Sequence, residues 1–439
     1  MVRFPLTAMV LAASRDVVMI GAGPTSLFLA NILLQQDPTV NIQVLEKNSR
    51  DGTPDDGAFG FGIGIRHEKA MEQIPGMWEE LKDVSAPLES GLLRMIRRND
   101  LCSKLRSRLE NTYPTRCKIL YETECENIDF KQNLVSLKKG SGISYDLLVG
   151  ADGANSMVRE AIRKDDAEYH EEHYFRPICW KALRLPDQNG KVAPGAFKTI
   201  SGAGFKTGGM LPRHPEGHTV LAFWDNLEMQ NPEGVHDEKE LANAITTALQ
   251  AKKSFLKKMT WNNISKQKTQ EKLQIKFDDV ELKRFLKDRA RREHILKLNK
   301  YHHNGNVALV GDSAHSMYSL LGQGAACGFL TASMLASSLG KERSISTALE
   351  NYSNDAVPEA NAIVDLNLIS HALEGGLLIK LATLPIILIS ALRGSVLFRE
   401  VVGTTKPYQE ILKKNRFLIW ICKQVWKKKR VSMPITTNH

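Results

Sequence analysis

Three short clusters carry residue types suited to chemistry. The first is Gly21-Ala22-Gly23-Pro24-Thr25-Ser26, with Glu46 twenty residues beyond Ser26. Gly21 permits a tight turn, and Gly23 lets backbone N–H groups approach an anion at a helix start. Ser26 is small enough for close helix–strand packing. Glu46 is placed to accept hydrogen bonds from ribose hydroxyls. The second cluster is Asp152-Gly153, within Gly150-Ala151-Asp152-Gly153-Ala154-Asn155-Ser156-Met157-Val158-Arg159. The third is Gly311-Asp312-Ser313-Ala314-His315, followed by Gly322-Gln323-Gly324. Glycines at a helix start leave N–H groups free, a second place for negative charge. The first cluster has the chemistry of a nucleotide half-site, whereas Asp152-Gly153 by itself reads as a turn dipeptide. Nothing here looks like a Ser/His/Asp nucleophile motif.

Each cluster needs elements to position it. Asp16-Val17-Val18-Met19-Ile20 is a short apolar run and reads as a buried parallel strand. A helical pattern follows through Leu27, Ala30 and Leu34, then a second strand, Ile42 to Leu45. This is a βαβ unit. Tyr145 to Val149 and Asn306 to Val310 read as further strands that end in turns. A long small-residue helix runs from Gly324 to Leu339. Between them, Ile178 to Leu185 and Val220 to Trp224 read as strands of an antiparallel sheet. The fold expected is α/β: a Rossmann-like parallel sheet interleaved with an antiparallel-sheet domain, plus a helical C-terminal region.

Composition agrees with an enzyme-sized globular chain. The 439 residues are 42% apolar and 25% charged, which excludes collagen-like and wholly disordered classes. Lys plus Arg exceed Asp plus Glu by 59 − 49 = 10. A basic balance suits nucleic acid, an anionic membrane or an anionic ligand. No aromatic-interleaved basic module or zinc finger is present, so nucleic acid ranks low. The six cysteines form no CxxC pair, and the histidines, His302-His303 included, have no metal spacing; no metal site is expected. Residues 1–14 form an apolar run that reads as an extension or a leader. Gly375 to Leu392 is apolar but interrupted by Lys380 and Pro385, slightly short of a bilayer span. Phe417 to Trp426, followed by Lys427-Lys428-Lys429-Arg430, suits a helix lying at an anionic membrane surface. The alternative is a packed helical cap with a solvated basic tail.

The succession GxGxx(G/S), DGANSxVR and GDSAH…GQG resembles the FAD-dependent aromatic-hydroxylase family, the single-component flavoprotein monooxygenases, from about residue 16 to about 340. The apolar and basic C-terminal region is most similar to the kynurenine 3-monooxygenase branch. The resemblance implies FAD as cofactor and NADPH or NADH as transient reductant. It places the pyrophosphate on Gly21, Gly23 and Ser26, and the adenosine ribose on Glu46. Arg98 is similar to the family arginine that contacts FAD. Asp152 and Gly153 would serve FAD and the nicotinamide donor. Asp312 would contact the ribityl–pyrophosphate region, and Gly322, Gln323 and Gly324 the pyrimidine edge of the flavin. Reduced flavin and O₂ would form a C4a-hydroperoxide that hydroxylates an apolar or aromatic small molecule. The catalytic residues stay unassigned, because the cofactor supplies the oxygen chemistry.

By that resemblance the domains run as 1–15 extension, 16–164 FAD-binding domain, 165–295 substrate domain, 296–345 completion of the FAD-binding domain, and 346–439 helical, membrane-associated region. Trp180, Met210, Phe223 and Tyr318 are candidates to line an apolar substrate cavity. His315 reads as structural, and residues 251–300 as a solvated, Lys-rich helical connection. The sequence departs from the family pattern in three places. Met317-Tyr318-Ser319 lacks the customary proline. Ala326 and Leu330-Thr331 stand where the family has Asn and an acidic residue. The stretch from Met77 to Arg98 leaves little room for the hairpin that carries a substrate arginine, and Arg94 is a poor substitute for it. Three alternatives follow: an epoxidase, a reductase of an isoprenoid-type lipid, or a non-catalytic flavoprotein.

Overall fold

The structure is a computed structural model. It describes residues 14–50, 60–369 and 396–432, apart from 189–191, 194, 216, 226–228, 251–274 and 430. The apolar run Gly375 to Leu392 and nearly all of residues 1–14 lie outside the described residues.

A six-stranded sheet forms the centre of the larger layer. Its order is β16-β17-β10-β1-β2-β6: His302–His303, Val307–Leu309, Leu147–Gly150, Arg15–Ile20, Val40–Leu45 and Cys117–Leu120. All neighbours are parallel except β16, which returns antiparallel to β17. Of the inner strands, β10 and β17 are wholly apolar and buried, and β1 is so from Val17 to Ile20. Runs of that kind form where helices cover both faces of a parallel sheet.

Helix α1 (Pro24–Gln36) packs on this sheet beside α8 (Gly324–Lys341). Proline at its first turn costs no hydrogen bond, because that N–H has no partner inside the helix.

The second layer is antiparallel, in the order β12-β13-β14-β11-β15: Lys198–Thr199, Thr207–Pro212, His218–Asp225, Glu171–Leu185 and Arg291–Leu298. Strand β15 runs past residue 295. It corrects the expectation that residues 251–300 form one solvated helical connection. Within the described part, α7 (Asp279–Lys287) is indeed helical, but Arg291–Leu298 is a strand with Ile295, Leu296 and Leu298 buried. A second correction concerns the region before Arg98. Ser85–Pro87 (β4) and Arg94–Arg97 (β5) do form an antiparallel pair, joined by β3 (Gly60–Ile63).

The C-terminal region is helical: α9 (Ile345–Leu366), α10 (Leu397–Gly403) and α11 (Tyr408–Lys429). On α11, Leu418, Cys422 and Trp426 face inward against Ile295, Val364 and Leu368, and Trp426 meets Tyr174 edge-on. The helix is therefore a packed cap. Phe417 and Trp420 point outward, 61% and 57% exposed. Among the described residues, no helix is long and apolar enough to cross a membrane.

Candidate functional site

The three loops predicted from sequence lie against one another. Gly21 has φ +96°, and a Cβ there would stand 2.6 Å from the carbonyl oxygen of Ala151, next to Asp152. Only glycine tolerates both constraints. Gly311 has φ +64°, and its Cβ would meet Thr25 Oγ1 at 2.9 Å; that of Gly328 would meet the same oxygen at 2.5 Å. Thr25 is thus the wedge between the first loop, the third loop and α8. A third tie is Arg159, buried in α5 (Met157–Asp165). It donates to the carbonyls of Ala154 at 2.7 Å and Ser313 at 3.0 Å, and pairs with Glu171 at 3.2 Å. One side chain therefore joins the second loop, the third loop and the start of β11.

Around this junction the residues leave room for a ligand. Gly23, the N-cap of α1, would place a Cβ no closer than 3.6 Å to its neighbour, the Arg98 guanidinium. A Cβ on Gly153, Gly322 or Gly324 would meet nothing within 4 Å. Neither α1 nor α8 has a side-chain cap, so both present free N–H groups at their starts. Glu46 directly follows β2. The Ala22 N–H donates to its Oε2 at 2.9 Å, and the Asn48 N–H to its Oε1 at 2.9 Å. Oε1 also accepts from Asn48 Nδ2 at 2.8 Å, so it is Oε2 that keeps a lone pair for a hydroxyl donor.

Asp312 is reached by solvent and yet ringed by protein, as the floor of a cleft is. The surrounding protein raises its pKa, and nearby Arg98 opposes the rise. Asp152 caps α5, accepting from the N–H of Met157 at 2.7 Å. Its other oxygen is buried with no hydrogen-bond partner, and burial raises the carboxyl pKa. Gln323 is buried and donates to the Leu321 carbonyl at 3.1 Å. The cleft thus offers two helix starts for anionic groups, carboxylates for hydroxyls and an arginine over the glycine loop. These residues fit FAD.

Ser26 does not reach the cleft. It is wholly buried, with its hydroxyl on the sulfur of Met19 at 3.6 Å, and acts by letting α1 approach β1.

The four expected substrate residues do not share a surface. Trp180 and Phe223 are paired across β11 and β14 with ring centroids 6.2 Å apart, and the Arg291 guanidinium lies over Trp180 at 5.4 Å. Met210 projects from the opposite face of that sheet, packed with Val220, Ile245 and Phe285 under α6 (Glu238–Gln250) and α7. Strand alternation separates them: Trp180 pairs with Phe223, whereas Met210 pairs with Val220, three positions away. Tyr318 is fully buried elsewhere, with Ile295 and Leu368, and the Arg176 guanidinium stands 4.9 Å from its ring centroid.

His315 is buried and 3.0 Å from Thr331 Oγ1, and burial pulls its pKa down to about 4. Thr331 is one of the two residues where the family carboxylate was expected, so that part of α8 packs on a neutral imidazole. His303 is not a solvated loop residue: it lies on β16, 2.9 Å from Asp165. Arg94 spends its guanidinium on its own hairpin, donating to Ser85 Oγ and to the carbonyls of Ser85 and Lys82 at 2.8–2.9 Å.

Sequence reading did not single out Thr25, Arg159 or Tyr408. Arg159 had a signal, its place seven residues after Asp152. Thr25 and Tyr408 had none, since their partners are distant in sequence. A cavity of about 600 Å³ lined by Gln73, Ser333, Met334 and Asn351 shares none of the loop residues and belongs to the later turns of α8 and to α9.

Comparison with known proteins gives the family. Residues 69–367 match the FAD binding domain family. Kynurenine 3-monooxygenase of Stenotrophomonas maltophilia (strain K279a) is 23% identical over 82% of this chain and 79% of its own. The solved structure of 2-methyl-3-hydroxypyridine-5-carboxylic acid oxygenase superposes with a TM-score of 0.61 at 18% identity, covering 81% of this chain and 90% of that one. The Diels-Alderase PyrE3 superposes with a TM-score of 0.63 at 17% identity, over 89% and 80% of the two chains. The chain belongs to the FAD binding domain family, as an FAD-dependent monooxygenase of the aromatic-hydroxylase type.

Proposed function

We propose that this protein uses NADPH or NADH to reduce bound FAD and hydroxylates an apolar or aromatic small molecule. The observation that supports this is the approach of Arg98 both to Gly23 and to Asp312, beside Gly21 packed against Asp152. When bound, FAD supplies the electron transfer and the activation of O₂. The chain's own residues bind and orient. The α1 start and Arg98 hold the pyrophosphate, and Glu46 accepts from the ribose. The α8 start, set by Gly322 and Gln323, stabilises negative charge beside it. Trp180 and Phe223 offer an aromatic surface to the substrate.

The relatives act on kynurenine by name. In this chain Arg94 is tied to Ser85 and Lys82, so a substrate carboxylate has to find another partner. We place the protein at a membrane surface, supported by Phe417 and Trp420, which stand outward among exposed Lys413, Lys414, Arg416 and Lys427.

The deciding experiment is a visible absorbance spectrum of the purified protein, then anaerobic titration with NADPH and with NADH. Oxidised-flavin bands that bleach on titration, followed by substrate-stimulated NADPH oxidation under O₂, are the expected result. The same fold also carries a Diels-Alderase, so FAD content alone does not decide the reaction. A colourless protein that takes up no added FAD, or a yellow one that no nicotinamide reduces, overturns the reading.

A further inference from the structure

The segment from Ser316 to Leu321 joins the Asp312 turn to the glycines that open α8. It has almost no regular structure of its own: Ser319–Leu321 is a single 3-10 turn. Tyr318 before it is wholly buried and has φ −62°, the angle a proline would impose, although no proline stands here. The segment is instead tied from outside. The Leu296 N–H of β15 donates to the Ser316 carbonyl at 2.9 Å. The Leu321 N–H donates to Asn367 Oδ1 at 3.3 Å, and Gly322 then reverses the chain at φ +61°.

Glu293 of β15 holds the front of the turn. One carboxylate oxygen accepts from the Ser319 N–H at 2.9 Å and also from its hydroxyl. The other accepts from Arg176 Nη1 at 2.7 Å, and the two side chains are 6% and 5% exposed. The Arg176 guanidinium lies against the Tyr318 ring, so the pair grips two consecutive residues. Strand β11 is irregular at this point. Phe175 pairs with His294 and Cys179 with Arg292, so Arg176, Pro177 and Ile178 together stand opposite Glu293. Pro177 gives no N–H to the ladder, and such a bulge re-aims the side chains beside it. A buried ion pair adds little stability over apolar residues of similar shape. What apolar residues could not do here is accept from Ser319. Strand β15 also carries Arg291, which lies over Trp180. One strand therefore meets both the aromatic face of the antiparallel layer and the turn before α8.

We propose that Glu293 is a positioning residue for the cofactor site. By fixing Ser319 it sets where Gly322, Gln323 and Gly324 lie, and so where the start of α8 meets FAD. Arg176 orients the carboxylate that does this. The inference rests on the FAD site and is independent of the substrate hydroxylated.

The test compares the full-length wild type with two double variants that leave no buried charge alone. Arg176→Met with Glu293→Leu removes the pair and the acceptor. Arg176→Met with Glu293→Gln removes the pair but keeps an oxygen for Ser319. Thermal midpoints, FAD affinity by flavin fluorescence, and hydrogen exchange of the stretch Met317 to Ala325 in the apoprotein are measured for each. Both variants should keep a thermal midpoint close to wild type. The leucine variant should bind FAD about tenfold more weakly and exchange faster only in that stretch. The glutamine variant should recover most of both. FAD affinity and exchange unchanged in the leucine variant overturn the proposal. So does a glutamine variant no better than the leucine one, or a thermal midpoint that falls far in both, which would make the pair a support of the fold alone. A wild type that takes up no FAD defeats the proposed function, while exchange in the apoprotein still decides what Glu293 holds.

Discussion

The hydroxyl of Tyr408 donates to the side-chain carbonyl of Gln323 at 2.8 Å, across 85 positions of sequence. Tyr408 opens α11, and Gln323 caps α8. The contact is buried, and the Arg66 guanidinium covers the tyrosine ring at 4.1 Å. Glu359 of α9 accepts from the Tyr408 N–H at 2.7 Å, so the start of α11 is held at both backbone and side chain. The C-terminal helices thereby set the loop at which α8 begins.

Tyr408→Phe keeps the ring and its stacking but leaves the Gln323 oxygen without its donor. The expected cost is about 1–3 kcal/mol, the penalty for a buried acceptor that loses its partner. Urea unfolding of the apoprotein measures it. FAD affinity should also fall, because Gln323 becomes free to rotate. An unchanged affinity would show that this loop needs no support from α11.

Gly21 and Gly23 are two residues apart and should fail in different ways. Gly21→Ala forces a Cβ to 2.6 Å from the Ala151 carbonyl at a positive φ, so the apoprotein itself should be destabilised. Gly23→Val adds its methyls beside Arg98, where the protein has space. Apoprotein stability should stay close to wild type while FAD retention is abolished. Thermal midpoints and bound-flavin absorbance separate the two. A fully yellow Gly23→Val protein would remove the first loop from the cofactor site.

Acid should destabilise the fold through buried neutral histidines. Burial pulls His67 down to about 3 and His315 down to about 4, against about 6.5 when unfolded. The unfolded chain therefore binds the extra protons. Stability is complete above about pH 6.5 and is lost as pH falls toward the folded values, by up to about 1.4 kcal/mol per pH unit for each histidine. Urea midpoints at a series of pH values between neutrality and the folded pKa measure the slope. His315→Gln should flatten it; a slope that stays the same would mean that other groups carry the acid sensitivity.

Phe417→Glu with Trp420→Glu should reduce sedimentation with phosphatidylserine vesicles and leave the thermal midpoint nearly unchanged. Both side chains are more than half exposed and contribute little to the core. Equal sedimentation of variant and wild type would remove this face of α11 from the membrane reading. Loss of binding only at high salt would assign the attraction to the lysines and Arg416 instead.

The local loops are legible along the chain. An apolar strand, a glycine turn and a helix start are contiguous in sequence, and that contiguity places Gly21, Gly23, Glu46 and Asp312. Strand alternation is legible only within one strand. Whether Met210 shares a face with Trp180 depends on how β13, β14 and β11 align, and that register joins segments far apart in sequence. The Lys-rich stretch misleads for a related reason. Arg291–Leu298 mixes an exposed Arg292 with a buried Glu293, whose partner Arg176 lies on β11, and with buried Ile295, Leu296 and Leu298, so its burial depends on elements distant in sequence.

The sequence by itself determined the class of cofactor and the three strand–turn segments, because helix-start amides and turn glycines act over a few neighbouring residues. Only the tertiary structure decided how those loops are joined. Thr25 wedges against Gly311 and Gly328, Arg159 links Ala154, Ser313 and Glu171, and Tyr408 holds Gln323. Such pairings depend on distance in space, and neighbouring residue types do not encode that distance.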